Sequence, residues 1–452
     1  MKNKLFAFCL SLGLAIALTF LVRDSGFTDS QDYVLFLLFF SIGLWITEAI
    51  PPFAVGLFIL AFLAFSLGNE WFNSAPQDIA KYVNTFSSQV IWLMLGGFFL
   101  AAGMAKTGLD ADLLRFTLRV SGSTPRRILM GLMLTTMIAS MLMSNTATTA
   151  MVIAAVMPLL TRLGKQSPFV RATLVGVPLA ATVGGMGTII GTPPNMLAVG
   201  VLESAGITVD FLRWMTFGVP LALFLTAVGC LTLIKVYLKD NRPLPVESFT
   251  ATGGGGAAPG MRMKRRVVLL VLAVTLLLWM TSSVHHVGVA LVAAIPIVFL
   301  TMTSVLDASD VRSLPWDTLL LVAGGLSLGM ALQDTHLLGH YAQRIIDMDL
   351  NSTIALGMFA FVTMLASNIM SNTATSTLLI PLGMATLPEH QMQAALIIGL
   401  SASTAMLLPV STPPNAIAYA TELVDQKDFR LGGVLMGLLG PAVAILWVLL
   451  IR

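Results

Sequence analysis

The sequence predicts an all-α polytopic membrane protein of about eleven transmembrane helices, arranged as inverted five-span repeats that each carry a re-entrant hairpin and a broken helix. Three observations lead there. Charged residues make up 10% of the 452-residue chain and hydrophobic residues 56%, against about 25% charged in soluble domains. The hexapeptide Ser144-Asn145-Thr146-Ala147-Thr148-Thr149 recurs 227 positions later as Ser371-Asn372-Thr373-Ala374-Thr375-Ser376. Each copy is followed by a Thr-Pro-Pro-Asn tetrapeptide, at Thr192 to Asn195 and again at Thr412 to Asn415.

Taken in order, residues 5–22, 33–49 and 53–67 read as three spans, with Pro51-Pro52 as the tight turn between the last two. The basic start and apolar stretch resemble a leader peptide. Arg23-Asp24-Ser25-Gly26 in place of a small-residue cleavage pattern favours a retained first span, so 1–31 is an extra helix and its external loop. A fourth span falls at 90–105. Residues 106–127 follow, with Leu109, Leu113, Leu114 and Leu118 at helical spacing among charges, the pattern of an interfacial or loop helix.

Residues 128–161 are 34 positions without a charge, too many for one span and too few for two. Basic residues stand at both ends, which places both ends on one side of the membrane. A re-entrant hairpin with Ser144-Asn145-Thr146 at its tip fits both facts. Residues 172–202 are 31 uncharged positions interrupted by Gly191-Thr192-Pro193-Pro194. Tandem proline ends one helix and opens the next, so this reads as a broken span. Span 211–238 completes a first repeat over 32–238, and a Gly/Pro-rich cytoplasmic linker is expected at 239–266.

The second repeat, 267–452, replays this order. Spans are expected at 267–281 and 287–303. Gly324-Gly325 and Gly329-Met330-Ala331 echo Gly96-Gly97 and Gly103-Met104-Ala105. The hairpin recurs at 350–388, the broken helix at 391–421 and the last span at 432–451. With the N-terminus in the cytoplasm, 20 Lys and Arg fall inside and five outside, in keeping with the positive-inside rule. An integral protein of the plasma (inner) membrane, surrounded by lipid, is therefore expected. A net charge of +3 gives no sign of nucleic-acid binding. Cys9 and Cys230 sit in apolar runs and read as buried free thiols; His285 and His286 read as a solvated pair, and Glu48 as a boundary residue before Pro51.

The paired motifs carry chemistry. Ser, Asn and Thr cap helix N-termini, and proline suits a first helical turn. Two tips and two breaks bring four N-termini together, each with about half a unit of positive charge, a cradle for a small dianion without Lys or Arg. The opposing helix C-termini, with Ser and Asn oxygens, suit Na⁺. No Asp, Glu, Lys or Arg lies in the four motif segments, which argues against a proton relay and leaves an intramembrane hydrolase without a base. A passive anion channel is a further alternative.

These four motifs in order resemble the divalent anion/sodium symporter family, of the sodium-coupled dicarboxylate type, over essentially the whole chain. The resemblance implies substrate contacts from Ser144, Asn145, Thr146, Thr192 and Pro193, and from Ser371, Asn372, Thr373, Thr412 and Pro413. It implies one sodium site at Ser140, Ser144, Asn145 and Gly191, and another at Ser367, Met370, Asn372 and Ser411, several through backbone carbonyls. It further implies a homodimer, elevator-type movement, Na⁺ as the co-transported ion with no organic cofactor, and C4 dicarboxylates (succinate, malate, fumarate) as substrates. Sodium-independent exchange, citrate and sulfate are the alternatives within the family.

Overall fold

The computed structural model describes residues 2–73, 76–240, 242–244 and 259–451, and among them there are helices and turns but no strand. The expected glycine run at 253–256 lies outside the described residues, as does Arg452.

Eight helices among the described residues are long and apolar enough to cross a membrane. Seven coincide with expected spans: Asn3–Val22, Asp29–Thr47, Ala80–Thr107, Pro168–Gly187, Phe211–Tyr237, Trp316–Asp334 and Gln426–Leu450. The eighth, Asn145–Leu163, is the second arm of the first hairpin. The expected spans Pro52–Leu67 and Val289–Met302 are apolar but shorter. The remaining two correspond to Pro259–Met280 and to Gln391–Ala402, which stops early because its segment is broken.

Local sequence explains the helix limits. Thr28 closes a capping box with Gln31 at the start of Asp29–Thr47, and Glu48 ends that helix in the left-handed region at φ 48°. Proline opens Pro52–Leu67, Pro125–Ser140 and Pro168–Gly184, where its missing N–H costs nothing. Gly108, at φ 69°, ends Gln89–Thr107. The expected linker is shorter than its sequence suggested, because a helix begins at Pro259 and takes Arg262, Lys264, Arg265 and Arg266 into its first turns. Two of these cations reach carbonyls near the ends of other helices: Lys264 Nζ lies 2.6 Å from the Ser304 oxygen and Arg265 Nε 2.8 Å from that of Thr107. Cys230 is buried, but Cys9 is exposed, since the first helix lies at the periphery of the protein.

The element order of the first half recurs in the second. Gln89–Thr107, Leu109–Ser121, Pro125–Ser140, Asn145–Leu163 and Pro168–Gly184 have counterparts in Trp316–Asp334, Leu337–Ile346, Ser352–Ser367, Asn372–Thr386 and Gln391–Ala402. The sequence reading found the amphipathic helix Leu109–Ser121 but missed its partner Leu337–Ile346, which buries Leu337 and Ala342 and exposes Arg344.

The halves are interlocked through small residues. Pro52–Leu67 of the first half crosses Trp316–Asp334 of the second, where a methyl group at Gly324 would sit 2.4 Å from the Gly56 Cα. Val289–Met302 of the second half crosses Gln89–Thr107 of the first, where a methyl group at Gly96 would sit 2.7 Å from the Ala293 Cβ. Such crossings let backbones approach where no hydrophobic drive separates helix from lipid. Around them lie two apolar cores. The smaller joins Asp29–Thr47, Pro52–Leu67 and Trp316–Asp334 through residues such as Leu44, Ile59 and Leu328. The larger runs through the hairpins, the broken helices and the last helix, including Leu132, Val152, Leu179, Ile398 and Met436.

Candidate functional site

Both Ser-Asn-Thr triplets fall at bends between packed helices. Pro125–Ser140 ends, and after four residues Asn145–Leu163 begins with Ser144 as N-cap, its hydroxyl accepting from the Ala147 N–H at 3.1 Å. Ser352–Ser367 and Asn372–Thr386 repeat this, with Ser371 accepting from the Ala374 N–H at 3.1 Å.

Both Thr-Pro-Pro motifs restart a helix after an irregular stretch, and both stretches are longer than the sequence indicated. In the first half the helix already ends at Gly184, followed by the 3₁₀ turns Gly185–Gly187 and Ile189–Gly191, then Pro193–Ser204. Glycine is required there: a methyl group at Gly184 would sit 2.5 Å from the Met137 carbonyl oxygen. In the second half residues 403–412 are irregular before the two-turn helix Pro413–Tyr419. The fourth residue of each motif, given no role from sequence, pins the irregular backbone. Asn195 Nδ2 donates to the Gly185 and Thr188 carbonyls at 2.9 and 2.7 Å, and Asn415 Nδ2 to those of Met406 and Leu408 at 3.1 Å each. Both asparagines are buried.

Bends and breaks converge on one cavity of about 680 Å³. Ser144, Asn145, Thr146, Thr192 and Pro193 line it from one half, and Ser371, Asn372, Thr373, Thr412 and Pro413 from the other. The structure thus brings together all ten residues expected at the substrate. Of the residues expected at sodium, Gly191 and Ser411 also face the cavity, whereas Ser140, Ser367 and Met370 lie buried behind it. Ser140 Oγ is 2.6 Å from Asn145 Oδ1 and 2.7 Å from the Ala181 carbonyl oxygen, three oxygens sharing one hydroxyl proton. Gly185 sits against them, since a methyl group there would lie 2.6 Å from Asn145 Oδ1 and 3.0 Å from the Gly191 carbonyl oxygen. In the other half Ser367 Oγ and Asn372 Oδ1 are buried without a hydrogen-bond partner. Unpaired buried oxygens are costly unless something supplies positive charge.

Sequence reasoning missed the wall opposite the motifs. Phe98, Ser313, Pro315, Asp317 and Thr318 line the cavity from Gln89–Thr107 and the start of Trp316–Asp334. Asp317 is the one charged side chain among the described lining residues. Two cations of this end are paired with other acids: Lys106 with Asp310 and, at 2.7 Å, with Asp307, and Arg265 with Asp112 at 2.9 Å. Lys106 and Ser309 together hold the Asp307 carboxyl well below the usual carboxylate range. A second cavity, of about 580 Å³, lies at the far end of Trp316–Asp334, between Asn84, Ser88, Met330 and Gln333 on one side and Ser204, Met384 and Gln391 on the other. That 19-residue helix is about 28 Å long, close to the apolar thickness of a bilayer.

Elsewhere, His285 is not the solvated side chain expected. Its Nε2 lies 2.8 Å from the Leu278 oxygen and its Nδ1 accepts from the Val287 N–H at 3.0 Å, which uses both ring nitrogens in the turn.

Comparison with known proteins bears on this architecture. The family model described as citrate transporter matches residues 42–398. The sodium-dependent dicarboxylate transporter SdcS of Staphylococcus saprophyticus is 28% identical over 96% of this chain and 88% of its own length. That of Staphylococcus aureus is 26% identical over 98% and 92%. Among solved structures, the Neisseria gonorrhoeae MtrF efflux pump aligns over 90% of this chain and 97% of its own, with a TM-score of 0.60 at 13% identity. The Alcanivorax borkumensis YdaH transporter aligns over 88% and 98%, with a TM-score of 0.52 at 13% identity. These two support the fold alone.

Proposed function

We propose that this chain, which belongs to the citrate transporter family, is a secondary carrier that imports a C4 dicarboxylate together with Na⁺. The observation that carries the reading is the single cavity ringed by ten motif residues of both halves, with no Lys or Arg among its described lining residues. Four helix N-termini face it, led by Ser144, Thr192, Ser371 and Thr412. Their partial charges sum to about two positive units, less for the two-turn helix at Pro413, which suits a succinate, malate or fumarate dianion. The oxygens of Ser140, Ser144, Asn145 and Gly191, and those of Ser367, Met370, Asn372 and Ser411, are the proposed cation ligands. Bound Na⁺ supplies the balance of charge before the dianion arrives. The names of both staphylococcal relatives agree with this pairing of sodium and dicarboxylate.

The two cavities at opposite ends of Trp316–Asp334 support alternating access of the elevator type, in which hairpins and broken helices shift along that helix. The two hairpins would be re-entrant and the halves oppositely oriented, with the N-terminus cytoplasmic in a plasma (inner) membrane. A homodimer would hold the stationary part.

Reconstituted in proteoliposomes, the protein should accumulate labelled succinate under an inward Na⁺ gradient and fail to do so when K⁺ replaces Na⁺. Succinate counterflow of equal rate without sodium would replace symport by exchange. The family's description favours citrate as a second substrate; citrate that displaces succinate at lower concentration than succinate itself would establish that reading.

A further inference from the structure

The two bends match in sequence but are tied to their broken helices in different ways. In the first half the tie runs from the break to the hairpin backbone, because the Thr188 hydroxyl donates to the Met141 carbonyl. The residue 227 positions on from Met141 is Asn368, and there the tie runs the other way. Asn368 Oδ1 accepts from the Leu407 N–H at 2.9 Å and from the Ser411 hydroxyl at 3.0 Å. Its Nδ2 donates to the Met364 carbonyl at 2.9 Å, which fixes the carboxamide on its own helix. Ser411 Oγ in turn accepts from the Leu408 N–H at 3.1 Å. Among the described residues no other side-chain hydrogen bond joins this hairpin to residues 403–412.

We infer that Asn368 is the positioning residue of the second cation site, holding the irregular segment 407–411 against the hairpin so that its oxygens converge with Ser367 Oγ and Asn372 Oδ1. This rests on the sodium-coupled reading above. Both lone pairs of Asn368 Oδ1 are engaged, so it is not itself a ligand. Ser367 Oγ and Asn372 Oδ1, by contrast, are buried and free to accept a cation. The first site lacks this dependence, because Ser140 bridges Asn145 and Ala181 directly.

The test is sodium activation of succinate uptake in proteoliposomes, read as half-saturating Na⁺, Hill coefficient and succinate KM at saturating Na⁺. Asn368→Ala should raise half-saturating Na⁺ about tenfold and lower the Hill coefficient, with KM at saturating Na⁺ within about twofold of wild type. Asn368→Asp keeps both acceptor bonds but loses the Nδ2 donor to the Met364 carbonyl, and should recover most of the sodium activation lost in Asn368→Ala, to within about threefold of wild type. Ser411→Ala, which removes one of the two ties, should fall between wild type and Asn368→Ala and serves if that variant does not fold. Unchanged sodium activation in Asn368→Ala, or equal loss in the Ala and Asp variants, overturns the inference. Wild-type uptake indifferent to Na⁺ would instead remove the reading on which it stands.

Discussion

The first half of the site is tight where the second is loose. On the first side, eight residues, six of them in two 3₁₀ turns, separate the helices, and hydroxyl, carboxamide and carbonyl oxygens already touch. On the second, ten irregular residues intervene, and Ser367 Oγ and Asn372 Oδ1 have no hydrogen-bond partner among the described residues, as Asn195 Oδ1 has none on the first side. The helix starts are set by the same serine caps and prolines in both halves, although the Thr412 hydroxyl accepts from the Asn415 N–H and that of Thr192 makes no such bond. Duplicated motifs therefore fix where helices begin, while the stiffness of the backbone between them depends on neighbours that differ from half to half. If the proposed cation sites hold Na⁺, a preformed first site and a second one completed by its ligand would give ordered binding, since the loose side must lose backbone entropy to bind.

The largest effect that could break this comparison comes from the carboxamides themselves. Asn145→Ala and Asn372→Ala each remove a group facing charged ligands, and a fall in sodium-driven succinate uptake of about a hundredfold or more is expected for both. Uptake that survives either change would show that one half suffices. Next, Gly185→Ala places a methyl group 2.6 Å from Asn145 Oδ1. The tight half has no room to yield, so half-saturating Na⁺ should rise about tenfold and the strain should lower stability by about 1–3 kcal/mol.

The pinning asparagines probe stability. Asn195→Ala frees two buried carbonyls held at 2.9 and 2.7 Å, and Asn415→Ala two held at 3.1 Å. Each should cost about 1–3 kcal/mol in a thermal-shift assay, with Asn195 the more damaging. The reverse order would mean that the first half is not the stiffer. The smallest effect is expected from Asp317→Asn. Removing the one charge of the cavity lining should lower succinate KM about two- to threefold from the side on which that cavity opens, measured in vesicles of defined orientation.

Some of this site is legible in the bare sequence. A serine cap followed by Asn-Thr, and a Thr-Pro-Pro start, act on their own backbone, so their effect is local and their repetition visible. The ten residues that the family resemblance placed at the substrate all belong to these motifs, and all face one cavity. What stays hidden depends on partners distant in the chain. Asn368 reads as an ordinary helix-end residue until Leu407 and Ser411 come beside it. Asp317 reads as an acid in a first helical turn, favourable with the dipole, until the hairpins face it. The need for glycine at Gly184 comes from Met137 crossing close by, which no periodicity announces.

The glycine crossings bear on how the chain is made. Gly56 meets Gly324, so a helix inserted early into the bilayer waits for some 268 further residues to leave the ribosome before its seam is closed. Until then the newborn N-terminal half offers a bare small-residue groove to lipid or to chaperones. Splitting the gene between the halves should therefore yield fragments that mature only when both are synthesised together.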